Sequence, residues 1–158
     1  MKSKIKDNKE YIILEIIPTA ISPDKGPIAQ ISALKLKGIH LMDRFDYRLN
    51  EELIFNRDIL KMIDYDKDKF NYENSSDIIF EKFIKWIGKI DLLIIDNTYT
   101  YNYLEKINNK KISIFKYLNL KYSDDVIDKI INKYNLKESN YIVDLLYEAL
   151  IYESNNKK

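Results

Sequence analysis

Apolar positions along this chain follow two rhythms: dense runs early in the sequence and at 92–95, and recurrences at helical spacing elsewhere. The densest run is Tyr11–Ile17, YIILEII, closed by Pro18. All of it except Glu15 is β-branched, aromatic or large and apolar, the pattern of a strand buried on both faces. It is predicted to be the central strand of an α/β domain. A lone carboxylate in such a run costs free energy unless something pairs with it. Glu15 is therefore the first position at which to look for function. Ile28–Lys37 reads as a second strand, with Ile28, Ala29, Ile31, Ala33, Leu34 and Leu36 apolar. Gly38 turns the chain, and Ile39–Leu49 returns with Leu41, Phe45 and Tyr47 near a period of two, which predicts a hairpin.

Beyond Asn50 the spacing changes. A short helix is expected near Arg57–Ile63, followed by a charged loop over Asp64–Phe70. Ser75, Ser76 and Asp77 open a helix on which Ile79, Phe80, Phe83, Ile84 and Ile87 share a face, and Gly88 stands where a C′ glycine belongs. Leu92–Ile95 reads as a short buried strand ending at Asp96 and Asn97. Thr98–Ile107 reads as a helix, Ile112–Phe115 as a last strand, and Ser123 to about Tyr134 as another helix. Ser139 or Asn140 caps a final helix whose inner face is Ile142, Leu145, Leu146, Ala149 and Leu150. The expected organisation is a flexible arm over Met1–Glu10, a single domain over 11–153 and a polar, flexible tail over Ser154–Lys158.

Composition narrows the picture. At 158 residues, 46% hydrophobic and 32% charged, the chain has the balance of a globular domain long enough to bury a core. The formal net charge of +1 gives no global field for nucleic acid, so such binding would need a local patch. The absence of cysteine excludes disulfides and thiolate metal sites. The opening MKSKIKDNKE has no apolar h-region, and no apolar run approaches the ~20 residues of a membrane span, so a cytoplasmic location is expected.

The order strand, hairpin, helix, strand, helix, strand, helix, helix is that of the ribonuclease-H-like fold, and four stretches resemble the DEDD-type (DnaQ-like) 3′–5′ exonucleases. YIILEIIPTA resembles the family's first motif, a strand ending in D-x-E-T-T-G, and IAQISALKLKG resembles its second strand, I-x-E-I-G-A-V-x-V. LLIIDNTYTYNYL resembles the second motif, V-x-H-N-x-x-F-D-x-x-F-L, and NYIVDLLYEAL the third, H-x-A-L-x-D-A. The resemblance covers roughly Tyr11–Glu153. It implies an α/β fold with a ribonuclease-H-like mixed sheet of about five strands flanked by helices. It also implies chemistry by four carboxylates holding two divalent metals ~3.5–4 Å apart, with a His acting on the attacking water.

Carried over residue by residue, that site is largely missing. The first Asp falls on Glu15, the motif Glu on Ile17, the Asp of the second motif on Tyr101, the His of the third on Asn140 and its Asp on Leu145. A register shift of one would bring Asp144 there instead, but Leu145 belongs to the apolar stripe and Asp144 points off it. Pro18 and Ala20 replace the motif's Thr and Gly. One carboxylate cannot neutralise two dications, and Tyr, Ile and Leu offer no anionic oxygen at neutral pH. The resemblance thus implies a pseudoenzyme with no metal or other cofactor.

Other candidates have plain readings beside the sharp ones. Glu15 is either a relict metal ligand or a strand-end residue that meets solvent or bonds to Asn140. Tyr99, Tyr101 and Tyr103 either stack on bases or, among thirteen tyrosines, serve helix packing. Asn97, Tyr99 and Tyr101, with Lys106, Lys110 and Lys111, form the candidate patch for weak single-stranded nucleic-acid binding. Asp64, Asp66 and Asp68 copy the start of an EF-hand loop, but Lys69 and Ser75 stand where its Gly and Glu belong. Asp124, Asp125 and Asp128 suit a first helical turn. His40 is expected to be merely exposed. The expected function is binding without cleavage. A protein of a nucleic-acid-processing complex is favoured as the partner over single-stranded nucleic acid, and no membrane is involved. The rival reading is an active, divergent exonuclease with ligands rebuilt from Glu15, Asp96 and Asp144.

Overall fold

The computed structural model describes residues 8–19, 28–54, 57, 70–90, 92–95, 116–119, 132, 143–145, 147, 148 and 151, with residues 92–95 and 116–119 described as backbone only. Strands β1 (Glu10–Pro18), β2 (Ile28–Lys37) and β3 (His40–Leu49) are followed by a 3-10 turn at Glu51–Leu53 and by β4 (Asn71–Glu73). Helix α1 (Ser76–Ile87), β5 (Leu92–Ile95) and β6 (Lys116–Asn119) complete the described elements. Residues 143–145, 147, 148 and 151 are helical and belong to the C-terminal helical segment.

The six strands form one sheet in the order β4-β3-β2-β1-β5-β6. β1 lies inside it, antiparallel to β2 and parallel to β5, as its largely apolar run predicted. β3 closes the hairpin on β2 across the two-residue loop Gly38–Ile39, where Gly38 takes φ +60°, the conformation hairpin turns demand of glycine. β4 and β6 are parallel edge strands on β3 and β5. The result is an α/β, ribonuclease-H-like mixed sheet with one strand more than expected. Two bulges bend it. Ala29 is the extra residue where β1 reaches Pro18, and Met42 is the extra residue between Leu41 and Asp43 on β3. Both relieve positions where regular pairing is awkward. Proline has no N–H to give the ladder, and Met42 turns outward, exposed.

Alternation gives the sheet two unlike faces. On one, Ile12, Leu14 and Ile16 of β1, Ile31 and Ala33 of β2 and Phe45 of β3 meet Ile79, Phe83 and Ile87 of α1. Phe45 lies at the centre of an aromatic group, with ring centroids 5.5 Å from Phe83 and 5.4 Å from Trp86. Helix α1 starts after Ser75 and ends at Gly88, as the spacing predicted. Its exit is a type II′ turn: Gly88 takes φ +59° and ψ −121°, and the Ile90 N–H donates to the Ile87 carbonyl at 3.1 Å. Lys35 of β2 reaches the helix end, where its ammonium donates to the Trp86 carbonyl at 2.6 Å and lies over the indole ring. The opposite face carries Glu15, Gln30, Ser32, Asp46 and Arg48, all buried.

Three expectations are adjusted. The last strand is found at Lys116–Asn119, while Ile112–Phe115 lies outside the described residues. Asn71–Glu73, between the expected charged loop Asp64–Phe70 and the helix, forms β4, and Phe70 is buried. The expected helices near 57–63, 98–107 and 123–134 lie outside the described residues, apart from Arg57 and Asn132, which are helical.

Candidate functional site

Glu15 and Ile17 stand two apart on β1 and so point to the same side of the strand. The register carries each across the sheet. Glu15 pairs with Ser32, which pairs with Asp46; Ile17 pairs with Gln30, which pairs with Arg48. Arg44 sits one step before Asp46 on that face, opposite Leu34. Glu15 is only 7% exposed. It lies within β1 and is not a solvent-meeting strand end; Asn140, its other expected partner, lies outside the described residues. Ile17 is buried as well.

The polar residues of this face form two bonded groups. In the first, Arg48 is fully buried, its guanidinium carbon 3.9 Å from the Phe70 ring centroid. Its Nε and Nη2 both donate to Gln30 Oε1, at 3.0 and 2.8 Å, and Gln30 Nε2 donates to Ser32 Oγ at 3.1 Å. In the second, Arg44 Nε donates to Asp46 Oδ2 at 3.1 Å. Its Nη1 and Nη2 donate to the two carboxylate oxygens of Asp144 at 2.7 and 3.3 Å. The paired donors give the fork geometry that makes Arg–carboxylate bonds specific. Burial alone would lower the Arg44 pKa, but the bonds to Asp144 and Asp46 outweigh it and raise it, so the guanidinium stays charged. Burial, and then the Asp144 charge one helical turn earlier, pushes the Glu148 carboxyl above its ordinary range. Among the described residues, Asp46 Oδ1, Arg48 Nη1 and Glu148 Oε2 are buried and have no hydrogen-bond partner.

Among the described residues, two polar contacts tie the C-terminal helical segment to this face and to the hairpin loop beside it. Besides the Arg44–Asp144 pair, Tyr147 Oη donates to the Ile39 carbonyl in the hairpin loop at 2.9 Å. Tyr11, buried beneath, donates its hydroxyl to the Gly38 carbonyl at 2.5 Å. Burial, helped by the nearby Tyr147, drives the Tyr11 pKa far above the ordinary phenol range, so Tyr11 remains a donor. Leu145, a member of the expected stripe, is buried, as is Val143, which lies off that stripe, and Asp144 meets Arg44; Ile142, Leu146, Ala149 and Leu150 lie outside the described residues.

Of the sequence-selected positions, the structure describes Glu15, Ile17, Asp144 and Leu145. Asp96, Asn97, Tyr99, Tyr101, Lys106, Lys110, Lys111 and Asn140 lie outside the described residues. The described donors do not fit two divalent metals. Ile17 and Leu145 are hydrocarbon, both oxygens of Asp144 are bonded to Arg44, and no three His, Cys, Asp or Glu among the described residues are gathered closely enough to hold an ion. Arg44, Asp46, Arg48, Gln30 and Glu148 were not singled out from the sequence. The signal for three of them was present: DRFDYRL places Arg44, Asp46 and Arg48 at alternate positions, on one side of a strand.

No family model matches the sequence. The chain is 23% identical to DNA polymerase III PolC-type of Bacillus cereus over 111 residues, 65% of this chain and 8% of that protein. Its structure is similar to E. coli exonuclease I. The zinc-bound complex with single-stranded DNA matches at a TM-score of 0.60 and 5% identity, over 96% of this chain and 42% of that one. The complex with a dA16 oligonucleotide matches at 0.54 and 7%, over 91% and 40%. The chain therefore has the fold of the DnaQ-type (DEDD) exonucleases and spans about two fifths of those structures and a small part of the polymerase.

Proposed function

We propose that this chain is an exonuclease-like domain that has lost two-metal hydrolysis and works by binding. One observation carries the reading. The carboxylate of the C-terminal helical segment nearest the family's third-motif position, Asp144, is held through both oxygens by a guanidinium of the same chain. A carboxylate engaged in this way is poorly placed to ligate a dication, and its neighbour Leu145, at the position that should supply the ligand, is packed inward. The rival with ligands rebuilt from Glu15, Asp96 and Asp144 would have to break the Arg44 pair first.

The favoured target is a protein of a nucleic-acid-processing assembly. A near-neutral chain recruits nucleic acid poorly, and both described arginines of this face are directed at groups of the chain itself. The sequence relative is a DNA polymerase, which directs attention to that class of assembly. Two measurements test the proposal. Incubation with a labelled single strand and Mn²⁺ should leave the strand intact; metal-dependent digestion abolished by Glu15→Gln would show the reading to be wrong. Affinity capture from the native host should retain partners after nuclease treatment. Partners lost on that treatment would instead favour single-stranded nucleic acid, the ligand present in the exonuclease I structures.

A further inference from the structure

A pocket lies on the other side of the sheet from Glu15, the side that α1 covers. It is an open concavity of about 570 Å³ between the start of β1, Lys35 of β2 and the turn that follows α1, a size usual for small-molecule sites. Lys9, Lys35 and Lys89 line it with one carboxylate, Glu10, and Ile87 and Ile90 supply its apolar part. The charges next to these leave the positive excess unchanged, since Lys37 stands across the ladder from Glu10 and Asp43 across from Lys35. Two of the lysines belong to fixed parts of the wall. The Lys9 carbonyl accepts the Gly38 N–H at 2.9 Å. Lys35 Nζ donates to the Trp86 carbonyl at 2.6 Å and lies 4.6 Å from the indole centroid. The C-terminal end of a helix repels anions. Here the Trp86 and Ile87 carbonyls already accept bonds, from Lys35 Nζ and from the Ile90 N–H, which weakens that repulsion.

We propose that this pocket binds a small ligand carrying two adjacent phosphates, of the size of a nucleoside diphosphate, at a site separate from the face of the exonuclease-like motifs. Lysine ammonium groups bind phosphate as point charges. Three of them around one pocket supply more positive charge than a single phosphate balances, and suit a diphosphate. The volume leaves room beside the phosphates for an uncharged part, which Ile87 and Ile90 would meet. The described lining holds no hydroxyl, imidazole or thiol, so the role is binding and not phosphoryl transfer. The proposal goes beyond the proposed function and does not depend on it.

Calorimetric titration of the full chain with inorganic pyrophosphate, ADP and inorganic phosphate, in EDTA and at low salt, tests it. Pyrophosphate and ADP should each bind at one site, and inorganic phosphate at least about tenfold more weakly. Lys9 and Lys89 are exposed, so a Lys9→Gln/Lys89→Gln variant should melt as the parent does. It should bind pyrophosphate at least about tenfold more weakly. An Arg57→Gln/Lys82→Gln control removes the same charge from exposed positions outside the pocket and should bind as the parent does. No binding of pyrophosphate by the parent overturns the proposal. Equal weakening by the two double variants also overturns it, since the attraction would then be diffuse and not that of a site. Equal affinity for phosphate and pyrophosphate overturns the assignment to adjacent phosphates, and binding of pyrophosphate without ADP overturns the nucleotide-sized ligand. Strand digestion is read separately, so the proposed function stands or falls on its own measurement.

Discussion

At the scale of single residues, burial and pairing decide what each position aligned with a family motif can do. Leu145 is 6% exposed, beside fully buried Val143. Restoring a carboxylate there by Leu145→Asp would push an unpaired charge among apolar neighbours rather than rebuild a ligand. The expected cost is several kcal/mol. At about 2–4 °C per kcal/mol for a chain of this size, melting should fall by many degrees. An unchanged melting temperature would mean that the helix presents residue 145 to the open side of the sheet. Arg48 makes the complementary case. It is a fully buried cation stacked on Phe70, and Gln30 Oε1 receives two of its N–H groups. Truncation by Arg48→Ala removes that stacking and strands the Gln30 oxygen. A loss of about 3 kcal/mol or more is expected in chemical denaturation, and a loss under 1 kcal/mol would show that the guanidinium contributes little there.

At the scale of elements, the contact between β3 and α1 makes two further predictions. Trp86 Nε1 donates to Asp43 Oδ2 at 2.9 Å. This bond, opposed by a small burial effect and aided by the Arg44 N–H and Lys35, holds the Asp43 carboxyl below its ordinary value. A carboxyl depressed in the folded state adds stability above its unfolded pKa, near 3.9, and that stability is lost as pH falls through the lower folded value. The parent should therefore exceed Asp43→Asn in denaturation midpoint at neutral pH, with the gap closing only under strongly acid conditions. Trp86, the one tryptophan, reports both transitions by fluorescence. A gap that persists undiminished into acid would rule out the charge as its source. Just beyond Trp86, at the same end of α1, Gly88 has a backbone conformation that L side chains rarely adopt, although a Cβ there would meet open space. Gly88→Ala should cost about 1–3 kcal/mol through the backbone alone. A neutral outcome would mean the turn rearranges.

The same elements show which parts of the fold could be read in advance. The run Tyr11–Ile17 and the Ser75–Gly88 frame were legible because burial on two faces and a helical stripe each leave a local rhythm. β4 left none. It is a three-residue edge strand, Asn71–Glu73, made of polar or exposed residues and ordered by pairing with β3. Lys116–Asn119 is also an edge strand with one neighbour, so the more apolar segment before it attracted the assignment. In the site, the strand period sets Glu15 and Ile17 on one side of β1. The Arg44–Asp144 pair was invisible because its members stand 100 residues apart and meet only when the last helical segment docks.

At the scale of the whole molecule, the proposed function raises the question of what this face could bind without metals. In a two-metal site the dications cancel the charge of the phosphate backbone. Here Glu15 and Asp46 remain on the face, and Arg44 is directed at carboxylates of the chain itself. A phosphate approaching Glu15 would meet like charge. Attraction would have to come from Lys106, Lys110 and Lys111, and stacking from Tyr99 or Tyr101 at about 1–3 kcal/mol per base. Those contributions give a dissociation constant in the millimolar to high-micromolar range. Much of the attraction would be counterion release, so binding should fade steeply as salt rises. Fluorescence anisotropy with a short labelled single strand should show weak binding at low salt and almost none at physiological salt, with a Tyr99/Tyr101 double-Ala variant weaker than the parent. Equal binding by the two, or none by either at low salt, would remove nucleic acid as the ligand of this cleft. The protein partner would then be the target to isolate. If the parent instead binds tightly at physiological salt, a positive surface beyond the described face must supply the charge, and the preference for a protein partner falls.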